Sequence, residues 1–292
     1  RTGSFRFDRR NARQQFLQDH PEAQDTPVLR TAEPVDPVVA KGQDPVLDEL
    51  MKWGAASIVH LPLKNYSTAR QLQKDLQQFE PEFLLFSPHV KSLRLENRVS
   101  GGVVRDISLT QHNGLIRLQE GDDAIDWLIF EKDHEPSARA TRAAGEIFSR
   151  QRAGREAENF TVPIRWAVPT TARALTMGRF WAFFTTTYET TLVGILNAPW
   201  KTNDDRTQLL EGEFNKELLS VASELVLENI PRLLELWDED PCRYFEALPG
   251  RFGGAETRNW ADEQLSREVY TLGQVRPTLP DQSGQLRVPA TV

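Results

Sequence analysis

The sequence predicts an α+β protein in which paired strands lead into a long C-terminal helix, and three observations carry that prediction. Apolar alternation between residues 103 and 130 is interrupted at Asn113-Gly114, a dipeptide that tolerates positive φ at both positions and so marks a tight hairpin. Three further apolar stretches of strand length follow at residues 164–168, 180–187 and 191–197. Beyond Gln208 the period changes, and Leu210, Phe214, Leu218, Val221 and Leu225 fall near one helical face.

Composition narrows the class. With 292 residues, 39% of them hydrophobic and 26% charged, the chain has the material for a core without disulfides, which excludes disorder of the whole. The single cysteine, Cys242, excludes an intrachain disulfide and any multi-thiolate metal site, and it fits a reducing, cytoplasmic address. No apolar run approaches the roughly 18 residues of a spanning helix, so no membrane partner is expected. The start, Arg1-Thr-Gly-Ser4, has neither an initiator Met nor a signal-peptide core and reads as the start of a fragment. The net charge of −7, from 35 basic and 42 acidic residues, argues against nucleic-acid binding by the surface as a whole.

In chain order, residues 4–7 alternate as a strand. The prolines at 21, 27, 34, 37 and 45 then make a long excursion with at most short extended pieces. Residues 44–52 read as a short helix and residues 57–63 as a buried strand ending near Pro62. Ser67 or Thr68 caps a helix carrying Leu72, Leu76 and Phe79, which Pro81 stops. A short apolar turn at 82–86 and a strand at 90–95 precede Gly101-Gly102, where the boundary falls between a domain at 1–100 and one at 101–292. Residues 103–111 and 115–119 form the Asn-Gly hairpin, 125–130 the next strand, and the Arg- and Ala-rich residues 137–158 an exposed helix. The strands at 180–187 and 191–197 are expected to turn at 188–190. The helix from Gln208 restarts at Pro231 and runs to Trp237, a weaker helix covers 262–272, and two short strands close the chain at 279–288.

Much familiar chemistry is missing. His20, His60, His89, His112 and His134 have no spacing that places two on one helix face, so no metal is expected. There is no nucleophile elbow, phosphate loop or dinucleotide fingerprint. The sequence Pro249-Gly-Arg-Phe-Gly-Gly254 reads as an irregular turn, and Cys242, without a nearby histidine, as an inert thiol.

The informative stretch is Asn197-Ala-Pro-Trp-Lys-Thr-Asn-Asp-Asp-Arg206, between the last strand and the long helix. Asn203, Asp204 or Asp205 is expected to cap that helix, which puts Arg206 in its first turn, where the dipole disfavours a cation. Two readings of Arg206 follow. It is either a solvated cation paired with the adjacent acids or a guanidinium held to meet an anion brought by another segment.

Three stretches carry a family resemblance: Gly54-Ala-Ala-Ser-Ile-Val-His-Leu-Pro-Leu63, Pro81-Glu-Phe-Leu-Leu-Phe86, and Phe180-Trp-Ala-Phe-Phe-Thr185 with Asn197-Ala-Pro-Trp200 and Asn203-Asp-Asp-Arg206. They resemble bacterial sacsin-like ATPases of the GHKL group, which also holds gyrase, the ninety-kilodalton heat-shock chaperone, histidine kinases and MutL. The resemblance implies an incomplete GHKL α/β sandwich followed by an α/β middle, or transducer, domain with a long C-terminal helix. It also implies that Arg206 contacts the γ-phosphate of ATP, with Asn203 at the family's asparagine position and Asp205 in place of its serine. Ser57 falls where the family has a threonine near the nucleotide, with Ala56 replacing the glycine; its other reading is an ordinary strand-start residue. The family's Glu-x-x-x-Asn helix, Asp-x-Gly-x-Gly turn and glycine-rich lid, which hold ATP and Mg, lie in the family upstream of the strand matched by residues 4–7, and the chain does not carry them as a set. An upstream nucleotide-binding segment is therefore the implied partner, and the chain alone is expected to be inactive.

Two functions from different classes follow. One is a fragment of a sacsin-like ATPase in a chaperone-like or antiphage-defence setting, with protein clients or partner subunits. The other is a noncatalytic protein-interaction scaffold built on the aromatic strand 180–184 and the helix 208–237.

Overall fold

The computed structural model describes residues 4–7, 14, 16–22, 32–59, 61, 63, 66–98, 102, 104–145, 161–171, 177–237, 244–250, 259–281 and 284–289. These form a mixed α+β structure with two compact units, residues 1–71 and 72–292. Cys242 and most of the Arg-rich stretch expected to be helical, residues 146–158, lie outside the described residues, as does the end of the turn expected at 249–254.

In the first unit β1 (Ser4–Phe7) pairs antiparallel with β2 (Ala32–Val35). Two short helices follow within the proline-rich stretch, α1 (Pro37–Gln43) and α2 (Pro45–Lys52). Each begins with a proline in its first turn, where no amide is needed, and each is capped by an aspartate: Asp36 Oδ1 accepts from Val38 N at 2.8 Å and Asp44 Oδ1 from Val46 N at 3.0 Å. The expectation of a loop at 37–43 is thereby corrected: the same prolines that break a helix interior start one at its first position. The buried strand expected at 57–63 is also corrected. Its described residues have no regular structure, and Val59 is 80% and Leu61 75% exposed. A short apolar run fits a chain for a buried strand but supplies no partner strand. The division between the units falls within α3 (Tyr66–Gln78), where Ser67 and Thr68 lie inside the helix rather than at its cap.

The second unit is organised by an eight-stranded sheet in the order β3-β4-β5-β6-β7-β10-β8-β9. After α4 (Phe83–Phe86), β3 (Ser92–Glu96), β4 (Val104–His112), β5 (Leu115–Glu120), β6 (Asp123–His134) and β7 (Val162–Pro169) run as an antiparallel meander. Gly102, near the expected domain boundary, lies between β3 and β4. Asn113 at φ 49° and Gly114 at φ 77° close the β4–β5 hairpin as the Asn-Gly signal requires. Between β6 and β7 stands α5 (Ala138–Ala144). The chain continues through β8 (Gly178–Ala182), β9 (Phe184–Thr190) and β10 (Ile195–Asn197).

Here the sequence expectation fails in connectivity. The hairpin turns at Phe183, not at 188–190, and β10 inserts between β7 and β8, antiparallel to the first and parallel to the second. The insertion needs glycine at position 194: its φ is +84° and a Cβ there would lie 2.0 Å from the Ala167 carbonyl oxygen.

Strand alternation divides the core between two faces. Leu128, Phe130, Ile164, Trp166, Val168, Phe180 and Leu196 pack with the helices α6 (Glu213–Glu228), α7 (Ile230–Leu236), α8 (Tyr244–Ala247) and α9 (Trp260–Gly273). Trp127, Ala167, Trp181 and Ile195 point the other way, where they meet Leu84, Leu85 and Phe86 of α4. The short strands β11 (Leu279–Pro280) and β12 (Leu286–Arg287) form a terminal hairpin.

Candidate functional site

The stretch from Asn197 to Arg206 forms a hook rather than a helix entrance. Helix α6 starts at Glu213, with Gly212 as its N-cap and no side-chain cap. Asn203, Asp204 and Asp205 therefore do not cap it, and Arg206 is not in its first turn. The physical reason lies in Leu209 and Leu210, which fit a helical face but are used in the hook. Leu209 is a buried peg in the main core, while Leu210 stays exposed.

Backbone pairing closes the hook. Thr202 and Leu209 form an isolated bridge, Asn203 N donates to Gln208 O at 3.0 Å, and Leu210 N donates to Lys201 O at 2.9 Å. Inside the loop Asn203 Oδ1 accepts from Thr207 N at 2.9 Å and Gln208 N at 3.1 Å, and Arg206 N donates to Asn203 O at 3.0 Å. Asn203 is thus the internal brace of the turn whose tip carries Arg206. An Asn side chain suits that work because its oxygen accepts two amides of a tight turn.

The outside of the hook is tied to the sheet and to a second helix. Thr187 of β9 donates through N at 2.8 Å and through Oγ1 at 2.9 Å to Thr207 O. The Trp260 Nε1 of α9 donates to Leu209 O at 3.1 Å. Three non-glycine residues among those described have positive φ: Asn113 of the hairpin turn, Phe183 at 64° and Arg206 at 57°. Only the first is a residue type that commonly adopts this backbone, so Phe183 and Arg206 carry local strain of about 1 kcal/mol each. Both are exposed. The Phe183 amide is held by Asn197 Oδ1 at 2.9 Å, and Phe184 stacks on Phe83 with ring centroids 5.1 Å apart.

The guanidinium of Arg206 forms no ion pair with Asp204, Asp205 or any other carboxylate among the described residues. The nearest cation along the chain, Lys201, is already engaged, its Nζ donating to Ala143 O at 2.9 Å. An arginine so placed offers five donors in a rigid fork to an anion. Ser57 belongs to the first unit, in the irregular exposed stretch after α2, and Asn203 and Arg206 to the second. Among the described residues no group of His, Cys, Asp and Glu could hold a metal, and no helix is long and apolar enough to cross a membrane.

Sequence reasoning missed the roles of Asn197 and Thr187 as hydrogen-bonding ties and of Phe183 as the turn residue. Asn197 was legible as a polar residue ending an apolar strand. Thr187 and the turn at Phe183 left no local signal, because a threonine-rich strand and an aromatic pair do not announce a reversal of the chain. No family model, no curated protein and no solved structure matches the chain.

Proposed function

We propose that the chain is part of a sacsin-like ATPase of the GHKL group, working in the cytoplasm in a chaperone-like or defence-related setting. In this reading residues 1–100 contribute to the nucleotide domain, with Ser57 on the nucleotide side, and residues 101–292 form the middle domain. An upstream segment holds ATP and Mg, and Arg206 meets the γ-phosphate when that segment closes on the hook. One observation carries the reading: an exposed arginine with no acidic partner among the described residues sits at the tip of a braced loop, in a backbone conformation that favours glycine. A turn selected only for shape would shed that cost, so the side chain is the reason for the residue.

The chemistry needed is modest. Phosphoryl transfer gathers charge on equatorial oxygens, and a fixed guanidinium stabilises that charge without a proton transfer. In the full gene product, Arg206→Ala is expected to lower kcat for ATP hydrolysis by at least about 100-fold while nucleotide affinity changes little, because the contact strengthens in the transition state. Arg232→Ala, which removes a surface cation of α7, serves as the control and retains parental turnover. Equal turnover in the two variants would remove the ATPase reading. It would favour the scaffold, whose contact surface is then the exposed pair Phe183 and Phe184, 43% and 53% accessible.

A further inference from the structure

The hook has a second brace outside itself. Asn215 lies in the first turn of α6 with 1% of its surface exposed. Its Oδ1 accepts from Lys201 N at 2.8 Å, and its Nδ2 donates to Lys201 O and to Leu210 O, both at 2.7 Å. One side-chain amide thus grips the two stems of the hook at its mouth, where Leu210 N also bonds Lys201 O.

The geometry is unusually complete for a buried amide. Three of its hydrogen-bonding positions are filled by backbone groups of a single loop, and among the described residues no other side chain hydrogen-bonds both Lys201 and Leu210. Asn203 shapes the tip but does not touch Lys201 or Leu210. Thr187 and Trp260 hold the descending stem, through Thr207 O and Leu209 O. Among the described residues Asn215 alone ties both stems to α6 by side-chain hydrogen bonds, and α6 is packed against β6, β7 and α9 in the main core.

We infer that Asn215 is the positioning residue for Arg206: it registers the hook against α6, so that the guanidinium stands at a fixed place relative to the helix. The inference rests on the reading of Arg206 as the phosphate-facing group and deepens it. Asn215 touches neither nucleotide nor phosphate. Its contribution is to keep Arg206 from wandering, and displacement of a stabilising group by about 1 Å is enough to cost one to two orders of magnitude in rate.

The test uses the full gene product carrying Asn215→Asp, which keeps the shape and the acceptor for Lys201 N but turns an oxygen toward the Lys201 and Leu210 carbonyls. Asn215→Ser, which leaves a single hydroxyl donor and a small void, carries the same comparison should the aspartate variant fail to fold. Three readouts are taken: kcat and KM for ATP, the same constants in the double variant with Arg206→Ala, and amide hydrogen exchange.

The expected result is a kcat about 10- to 100-fold lower with KM within about two-fold of the parent. The double variant is no slower than Arg206→Ala alone, since a positioning residue has nothing left to position. Exchange at Thr207, Gln208 and Leu210 accelerates at least about ten-fold, while Trp166 and Ala167 of β7 keep their protection.

Fold losses that multiply in the double variant, a raised KM, or unchanged exchange in the hook would each overturn the inference. So would exchange that accelerates equally in β7, which marks a structural residue of the whole core. The two readings separate cleanly. If Arg206→Ala turns over at the parental rate, the ATPase reading falls and this inference with it; if Arg206→Ala is slow but both Asn215 variants match the parent, only this inference falls.

Discussion

At position 206 the backbone and the side chain make opposite demands. The φ of 57° is one that glycine adopts freely, and an L side chain there costs about 1 kcal/mol. Replacing Arg206 by glycine is therefore expected to raise the unfolding free energy by roughly 0.5–1 kcal/mol, whereas Arg206→Ala, which keeps a Cβ in the left-handed region, leaves it nearly unchanged. Urea titrations of the two variants check this; a glycine variant no more stable than the alanine one would show that the loop carries no strain at this residue. Gain of stability with loss of function is the pattern of a residue kept for its chemistry. The arginine itself was legible in the sequence from its neighbours. Its environment was not, because the leucines after it, Leu209 and Leu210, satisfy a helical period while serving a loop. A periodic pattern records which residues are apolar, not which element uses them.

Helix α6 carries Asn215's grip on the hook, and a line of acids along it meets α5 and β6. Glu213 meets Arg139 at 3.0 Å, Glu217 meets His134 Nε2 at 2.7 Å, and Glu224 and Glu228 share Lys132 at 3.0 and 2.8 Å. Most of these are exposed pairs of small individual worth. Glu217 differs. Burial pushes its carboxyl upward, but the Ser137 Oγ and N hydrogen bonds and the one from His134 outweigh that and hold it below the ordinary glutamate range. A carboxyl lowered in the folded state adds stability above its unfolded pKa of about 4.3 and loses it as pH falls through the lower folded value. Glu217→Gln keeps an acceptor without the charge, so it is expected to cost about 1 kcal/mol at pH 7, and the gap from the parent should close as the pH is lowered below about 4.3. Thermal unfolding of both proteins across that range checks it, and a gap independent of pH would show that the charge contributes nothing. At this scale the Asn113-Gly114 hairpin, the restart at Pro231 and the helix ending near Leu272 were all legible, each from a local signal. The β8–β9 turn was not. Phe183 becomes a turn residue because Asn197 Oδ1 takes its amide and because Gly194 lets β10 enter between β7 and β8, and both are tertiary facts.

The two compact units differ in how much of their apolar content they bury. All the buried members of both core clusters, from Leu84 to Val269, lie in residues 72–292. In the first unit α2 has no buried residue, and Val38, Val59 and Leu61 are among the most exposed hydrophobic side chains described. The apolar run at 57–63 reads in the sequence as a buried strand, and apolar content by itself supplies neither a partner strand nor a covering surface. The physical consequence is testable. Because stability follows the apolar surface removed from water, a chain of residues 66–292, which retains α3 whole, carries both clusters and folds cooperatively on its own. Urea unfolding of that chain is expected to show a single transition whose midpoint lies within about 0.5 M of the main transition of the 292-residue protein, since the slope follows the surface that the core exposes and the midpoint is the stability divided by that slope. The amide-exchange protection of Trp166, Ala167 and Val168 in β7 should be the same in both. A shorter chain that unfolds without cooperativity, or that loses protection in β7, would mean that residues 1–65 are needed to complete the core. That result would also move the cost of Arg206 from a loop on a rigid platform to a loop on a yielding one.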